Sequence, residues 1–154
     1  MKVEFINPFL SSMLNVMSTM AQMELTPEKP KLKKGEVAKG DVSGLIGMVS
    51  PETKGSLSIT FDGPLALATM KGMVGEAPEE VNDEITDLVG EITNMVTGGA
   101  KRMLSEKGFE FDMATPIVVS GPSHTIHHKS KGPVVIIALR GEAGKAYIEF
   151  SFDE

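Results

Sequence analysis

Apolar residues recur every three or four positions between Ile85 and Leu104, through Leu88, Val89, Ile92, Met95, Val96 and Met103. That spacing keeps one face of a helix apolar. It predicts a long helix over residues 79–107, stopped by Gly108. Phe9, Met13, Val16, Met17 and Met20 define a similar stripe near the N-terminus. Asn7-Pro8 opens it, because asparagine caps and proline suits the first helical turn. Pro64 opens a short third helix with Leu65, Leu67, Ala68 and Met73, broken by residues 75–78.

Elsewhere the period falls to two. Leu57, Ile59 and Phe61 alternate with polar residues, as a strand with one buried face requires. Residues 42–49 and 56–61 therefore read as a hairpin across the turn 51–55. Further strands are expected over 110–119, 134–140 and 145–152, with 141–144 joining the last two. Residues 26–34, with two prolines and four lysines, read as a loop. Residues 35–39 read as an edge strand, and 124–128 as another strand or an exposed ribbon. The order is an α+β layout: two long helices packed on a mostly antiparallel or mixed β-sheet, with a pseudo-repeated helix–hairpin unit in each half.

The chain has 154 residues, 41% of them hydrophobic and 23% charged. That fits one ordinary globular domain, residues 1–154. No apolar run approaches the ~20 residues that span a bilayer, and the first residues lack the pattern of a secretory leader. There is no cysteine, which excludes thiol catalysis and suits a reducing cytoplasm. The net charge of −6 argues against nucleic acid, which needs a concentrated positive face. No nucleophile elbow, phosphate-binding loop or dinucleotide fingerprint is present.

The second long helix carries the candidate chemistry. Measured from Ile85, Asn94 falls at about 180°, Asp87 at about 200°, Gly98 at about 220° and Glu91 at about 240°. All four lie opposite the apolar stripe, at spacings that make them neighbours on one strip. A solvated face often carries such residues for solubility alone. Two details argue for more. Gly98 faces outward, where a glycine costs the helix on the order of 1 kcal/mol without any internal packing to explain it. Asp87 and Glu91 are like charges one turn apart, mildly destabilising unless a cation joins them.

At these residues the sequence resembles the CheC, CheX and FliY phosphatases of bacterial chemotaxis. Their motif runs Asp or Ser, three residues, Glu, two residues, Asn, about twenty-two residues, Pro. Asp87, Glu91 and Asn94 match its first three members, and Pro116 follows after twenty-one residues. The opening Ile6-Asn7-Pro8-Phe9 is similar to the start of CheX in particular. The first helix offers Ser12-Met13-Leu14-Asn15, with serine where the motif has glutamate, so one site per chain is expected. The resemblance implies a phosphatase acting on the aspartyl phosphate of a CheY-like response regulator. It assigns Asn94 to orienting water and Glu91 to the regulator's lysine. Asp87, Gly98 and Pro116 would lie at the contact, with magnesium on the regulator and no cofactor on this chain. It also implies a homodimer. The rival reading is a non-catalytic module that binds a regulator or a flagellar-switch component.

Remaining features have plainer expectations. Adjacent histidines on a strand face opposite ways, so His124, His127 and His128 are expected as exposed residues rather than metal ligands. The eleven methionines suit flexible core packing. The lysines from Lys29 to Lys39 read as a solvated loop able to steer an acidic regulator surface.

Overall fold

The computed structural model of the chain describes residues 3–153; Met1, Lys2 and Glu154, part of the expected domain, lie outside them. The elements in order are α1 (Val3–Ala21), β1 (Thr26–Pro27), β2 (Lys31–Leu32), β3 (Val42–Val49), β4 (Lys54–Phe61), α2 (Gly63–Val74), α3 (Asp83–Glu106), β5 (Asp112–Met113), β6 (Ile117–Ser120), β7 (Val134–Arg140) and β8 (Lys145–Phe152). Helices packed on a sheet were expected, and that is the architecture.

The expected start of the first helix was misplaced. Asn7 does not cap it; α1 begins at Val3 and Pro8 lies inside. Phe5 explains the extra turn, since its ring meets Phe109, Phe111 and Phe152 at centroid distances of 5.0, 5.5 and 5.2 Å. An interior proline costs about 3 kcal/mol, and burying Phe5 and Phe9 recovers about 1.5–3 kcal/mol each. The other helices obey local signals. Asp62 Oδ1 accepts from the Leu65 N–H at 2.8 Å and caps α2. Asn82 Oδ1 accepts from Glu84 and Ile85 and caps α3. That cap leaves Glu79 and Glu80 outside α3, which therefore starts four residues later than expected.

Every strand pairing among the described residues is antiparallel, in the order β1-β7-β8-β4-β3-β5, with β2 also on β7 and β6 also on β3. The repeat expected from the element order takes a crossed form. Hairpin β3–β4 belongs to the first half and hairpin β7–β8 to the second, and they join through β4 and β8. The short strands of each half are seated on the hairpin of the other: β1 and β2 on β7, β5 and β6 on β3. Residues 26–34, expected as a loop, thus supply two strands. Residues 35–39 contribute only the bridge from Val37 to Thr125. The strand expected over 110–119 is split in two, with Pro116, which has no N–H to give a ladder, in the gap.

One sheet face carries Leu57, Ile59, Phe61, Ile148 and Phe150 into the core beneath α1 and α3. The other face is polar, yet Ser56, Ser58, Thr60, Glu149 and Ser151 are buried there as well. The connection from β6 to β7 crosses over them, and it corrects two expectations. His124 and His128 are not exposed: His124 Nε2 lies 2.7 Å from Ser43 Oγ, and His128 Nδ1 lies 2.6 Å from Ser56 Oγ. His127, pointing the opposite way, is exposed. Lys33 is not solvated either. Its ammonium donates to Glu149 Oε2 at 2.8 Å, the two side chains being 2% and 0% exposed. Glu149 Oε1 lies 3.1 Å from His128 Nε2. A buried carboxylate needs such partners, and the extended backbone aims alternate residues, His124, Ile126 and His128, at the sheet.

Candidate functional site

The polar strip lies on α3, which three close approaches hold in place. Thr93 sits directly over Gly44 of β3, where any side chain on the glycine would overlap its hydroxyl. A Cβ on Gly90 would lie 3.2 Å from Val118 Cγ2 of β6. Gly99 meets Ser12 of α1, whose hydroxyl donates to the Val96 carbonyl at 2.8 Å. These contacts seat the buried face made by Ile85, Leu88, Val89, Ile92, Val96, Ala100 and Leu104. The opposite face is thereby fixed toward solvent.

Asp87, Glu91, Asn94 and Gly98 are all exposed on that face. No ion pair within 4.0 Å involves Asp87 or Glu91, and no hydrogen bond involves the Asn94 amide, among the described residues. A Cβ on Gly98 would meet nothing within 4 Å. The strip is thus a carboxylate pair, a free amide and a bare stretch of backbone presented outward. Pro116 is half-buried and stands two residues before Val118, on the segment that flanks α3 at Gly90.

The first helix has no equivalent strip. Asn15 is exposed, but Ser12 is 3% exposed and occupies the contact with α3. A glutamate there would have to displace α3. Among the described residues no three His, Asp or Glu side chains group as metal ligands. No described helix is long and apolar enough to cross a membrane.

The buried polar group of Lys33, Glu149 and His128 was missed from sequence. Its signals were His124, Ile126 and His128 at alternate positions, and a lone glutamate between Ile148 and Phe150.

Helices laid on a crossed antiparallel sheet, with acid and amide displayed from α3, give the fold shared by CheC- and CheX-like proteins. The profile of the family described as chemotaxis phosphatase CheX matches residues 42–140, and the chain belongs to that family. Among solved structures, a CheC-like superfamily protein from Shewanella sp. PV-4 is 65% identical over 100% of both chains, with a TM-score of 0.94. The chemotaxis protein CheX from Vibrio vulnificus is 60% identical over 98% of this chain and 100% of its own, with a TM-score of 0.92. A CheX–CheY–BeF3–Mg2+ complex from Borrelia burgdorferi contains a chain 25% identical over 99% of this one and 100% of its own, with a TM-score of 0.82. No curated protein matches the sequence.

Proposed function

We propose that this chain hydrolyses the aspartyl phosphate of a CheY-like response regulator in the cytoplasm, by inserting the exposed face of α3 into the regulator's phosphorylated pocket. The observation that carries the reading is Glu91 and Asn94 projecting side by side from a rigidly seated helix without partners of their own, in a member of the chemotaxis phosphatase family. The complex of the Borrelia relative with CheY, BeF3 and Mg2+ supports it, since beryllium fluoride stands in for a phosphoryl group.

Hydrolysis of an acyl phosphate needs water held in line with the bond that breaks. The transition state is loose, so placement and electrostatics matter more than a strong base. Asn94 suits this chemistry because its amide oxygen accepts a hydrogen bond from the water and brings no charge against the phosphoryl oxygens. The water oxygen bonds to phosphorus as the phosphorus–carboxylate bond breaks, and the regulator's aspartate leaves ionised. Glu91 would be repelled by the phosphoryl group, so it pairs with the regulator's lysine and sets the register of Asn94. Asp87 reinforces the rim of the contact, Gly98 admits the regulator's backbone, and Pro116 flanks the docked surface. Magnesium resides on the regulator.

The test is phosphate release from a phosphorylated regulator. Asn94→Ala is expected to slow release by about 100-fold or more while binding of the phosphorylated regulator survives. Glu91→Ala weakens both. Full turnover by the Asn94 variant overturns the assignment, and no turnover by the wild type would favour the non-catalytic module.

A homodimer formed through sheet edges is part of this reading. Of the two edges, β5–β6 bears Ile117 and Val119, 64% and 37% exposed, whereas on the other the exposed Leu32 of β2 stands among Lys29, Lys31, Lys33 and Lys34, and lysine discourages strand pairing. Ile117→Lys is expected to yield monomers by light scattering; a wild type already monomeric at the same concentration refutes the dimer.

A further inference from the structure

On the polar face of the sheet, opposite α3, lies a half-open cleft of about 400 Å³ walled by Lys29, Lys31, Lys33, Lys34, Lys39 and Lys145. Ile136 and Ala138 of β7 line it on the sheet side, with Tyr147 of β8 cross-strand from Ala138. Glu28 is the one carboxylate among its described lining residues, and it is already engaged by Arg140 at 3.3 Å and Lys145 at 3.5 Å. Lys33 is engaged by Glu149. Lys29, Lys31, Lys34 and Lys39 have no acidic partner within 4.0 Å among the described residues.

Four lysines without an acidic partner therefore line one concave space in a chain whose net charge is −6. Lys31 on β2 and the lysines that flank it, Lys29, Lys33 and Lys34, are explained in part by protection of a sheet edge. That does not account for Lys39 and Lys145, which come from other segments, nor for Tyr147. Like charges attract a multivalent anion together when they lie within a Debye length, about 8 Å, of it. Compact, mobile ammonium charges suit phosphate oxygens. A bare phosphate would leave Tyr147, Ile136 and Ala138 unused, whereas a nucleobase presents a π-face for a tyrosine ring. The volume falls within the range of about 300–1,000 Å³ usual for small-molecule sites.

We propose that this cleft is a nucleotide-binding site, with phosphates held by Lys29, Lys31, Lys34 and Lys39 and the base laid against Tyr147. An acidic protein surface would use the lysines but would not need a concave space with an aromatic base. The site stands on the face of the sheet away from α3, so it is independent of the phosphatase reading.

Tyr147 is the single tyrosine of the chain, which also lacks tryptophan, so its ring-proton resonances report on the cleft without ambiguity. Titration of the full chain with ATP should shift them saturably, with calorimetry giving the affinity. Adenosine should produce no saturable shift, and pyrophosphate should bind more weakly than ATP. The triple variant Lys31→Gln, Lys34→Gln, Lys39→Gln changes exposed residues only and should bind ATP at least tenfold more weakly. A flat response of Tyr147 to millimolar ATP overturns the proposal, as does unchanged affinity in the triple variant. Equal binding of pyrophosphate and ATP overturns the role of the base. If the triple variant instead slows dephosphorylation of the regulator while the wild type ignores ATP, the cleft steers a protein surface and the proposal fails.

Discussion

Gly98 and Gly99 are adjacent in sequence and opposite in environment, so alanine at each should act with opposite sign. At Gly98 the new methyl meets nothing within 4 Å. Replacing an exposed helical glycine by alanine should stabilise by about 0.5–1 kcal/mol. At Gly99 the same methyl overlaps Ser12 Oγ and lies 3.4 Å from Ser12 Cβ. Overpacking of this kind costs about 1–3 kcal/mol, so the gain in helix propensity is outweighed and a net loss of about 1–2 kcal/mol is expected. Ser12→Ala removes the colliding atom and its hydrogen bond to the Val96 carbonyl, a loss of about 1 kcal/mol. The double variant Ser12→Ala, Gly99→Ala then fits, and should regain roughly wild-type stability with a coupling of about 2–3 kcal/mol. Urea unfolding of the four proteins reads these differences directly. Destabilisation by Gly98→Ala, or additivity of Ser12→Ala with Gly99→Ala, would show that α3 does not present these faces as described.

Two further outcomes follow from the buried polar face. Ser58 Oγ is buried without a hydrogen-bond partner among the described residues, so Ser58→Ala should be neutral or stabilising by up to about 1 kcal/mol; a loss above that size in thermal unfolding would reveal a partner for the hydroxyl. Lys33→Met keeps the aliphatic stem but leaves the fully buried Glu149 with only the His128 ring beside it, and should cost about 3 kcal/mol. A change under about 1 kcal/mol in the same measurement would mean that the ammonium does not share the carboxylate's buried environment.

Much of the site was legible because it depends on one local regularity. The 3.6-residue period of α3 set Glu91 and Asn94 opposite Ile85 and Ile92, and the side of the helix followed without knowledge of its neighbours. Gly108 stops that helix by backbone chemistry that is likewise local, whereas the cap at Asn82 was passed over and the start set four residues too early. What failed depended on distant partners. Phe5 extends α1 past Pro8 because Phe109, Phe111 and Phe152 await it, and no window around residue 5 contains them. Residues 26–34 look like a loop until β7 is placed beside them. Lys33, His124 and His128 read as surface residues because polar side chains usually are. Only the crossing of the β6–β7 connection over the sheet turns them inward. Pro116 was noticed for its spacing from Asn94, yet its visible structural effect is to divide β5 from β6.

The crossed edges also set a schedule for synthesis. Lys31 and Leu32 pair with Ile136 and Val135, so a nascent chain exposes β1 and β2 for about a hundred residues before their partner strand emerges. Through that interval the segment offers unpaired backbone to any neighbour, and non-local pairings of this kind are slow and prone to aggregate. A run of lysines is a simple guard against mispairing while the ribosome catches up.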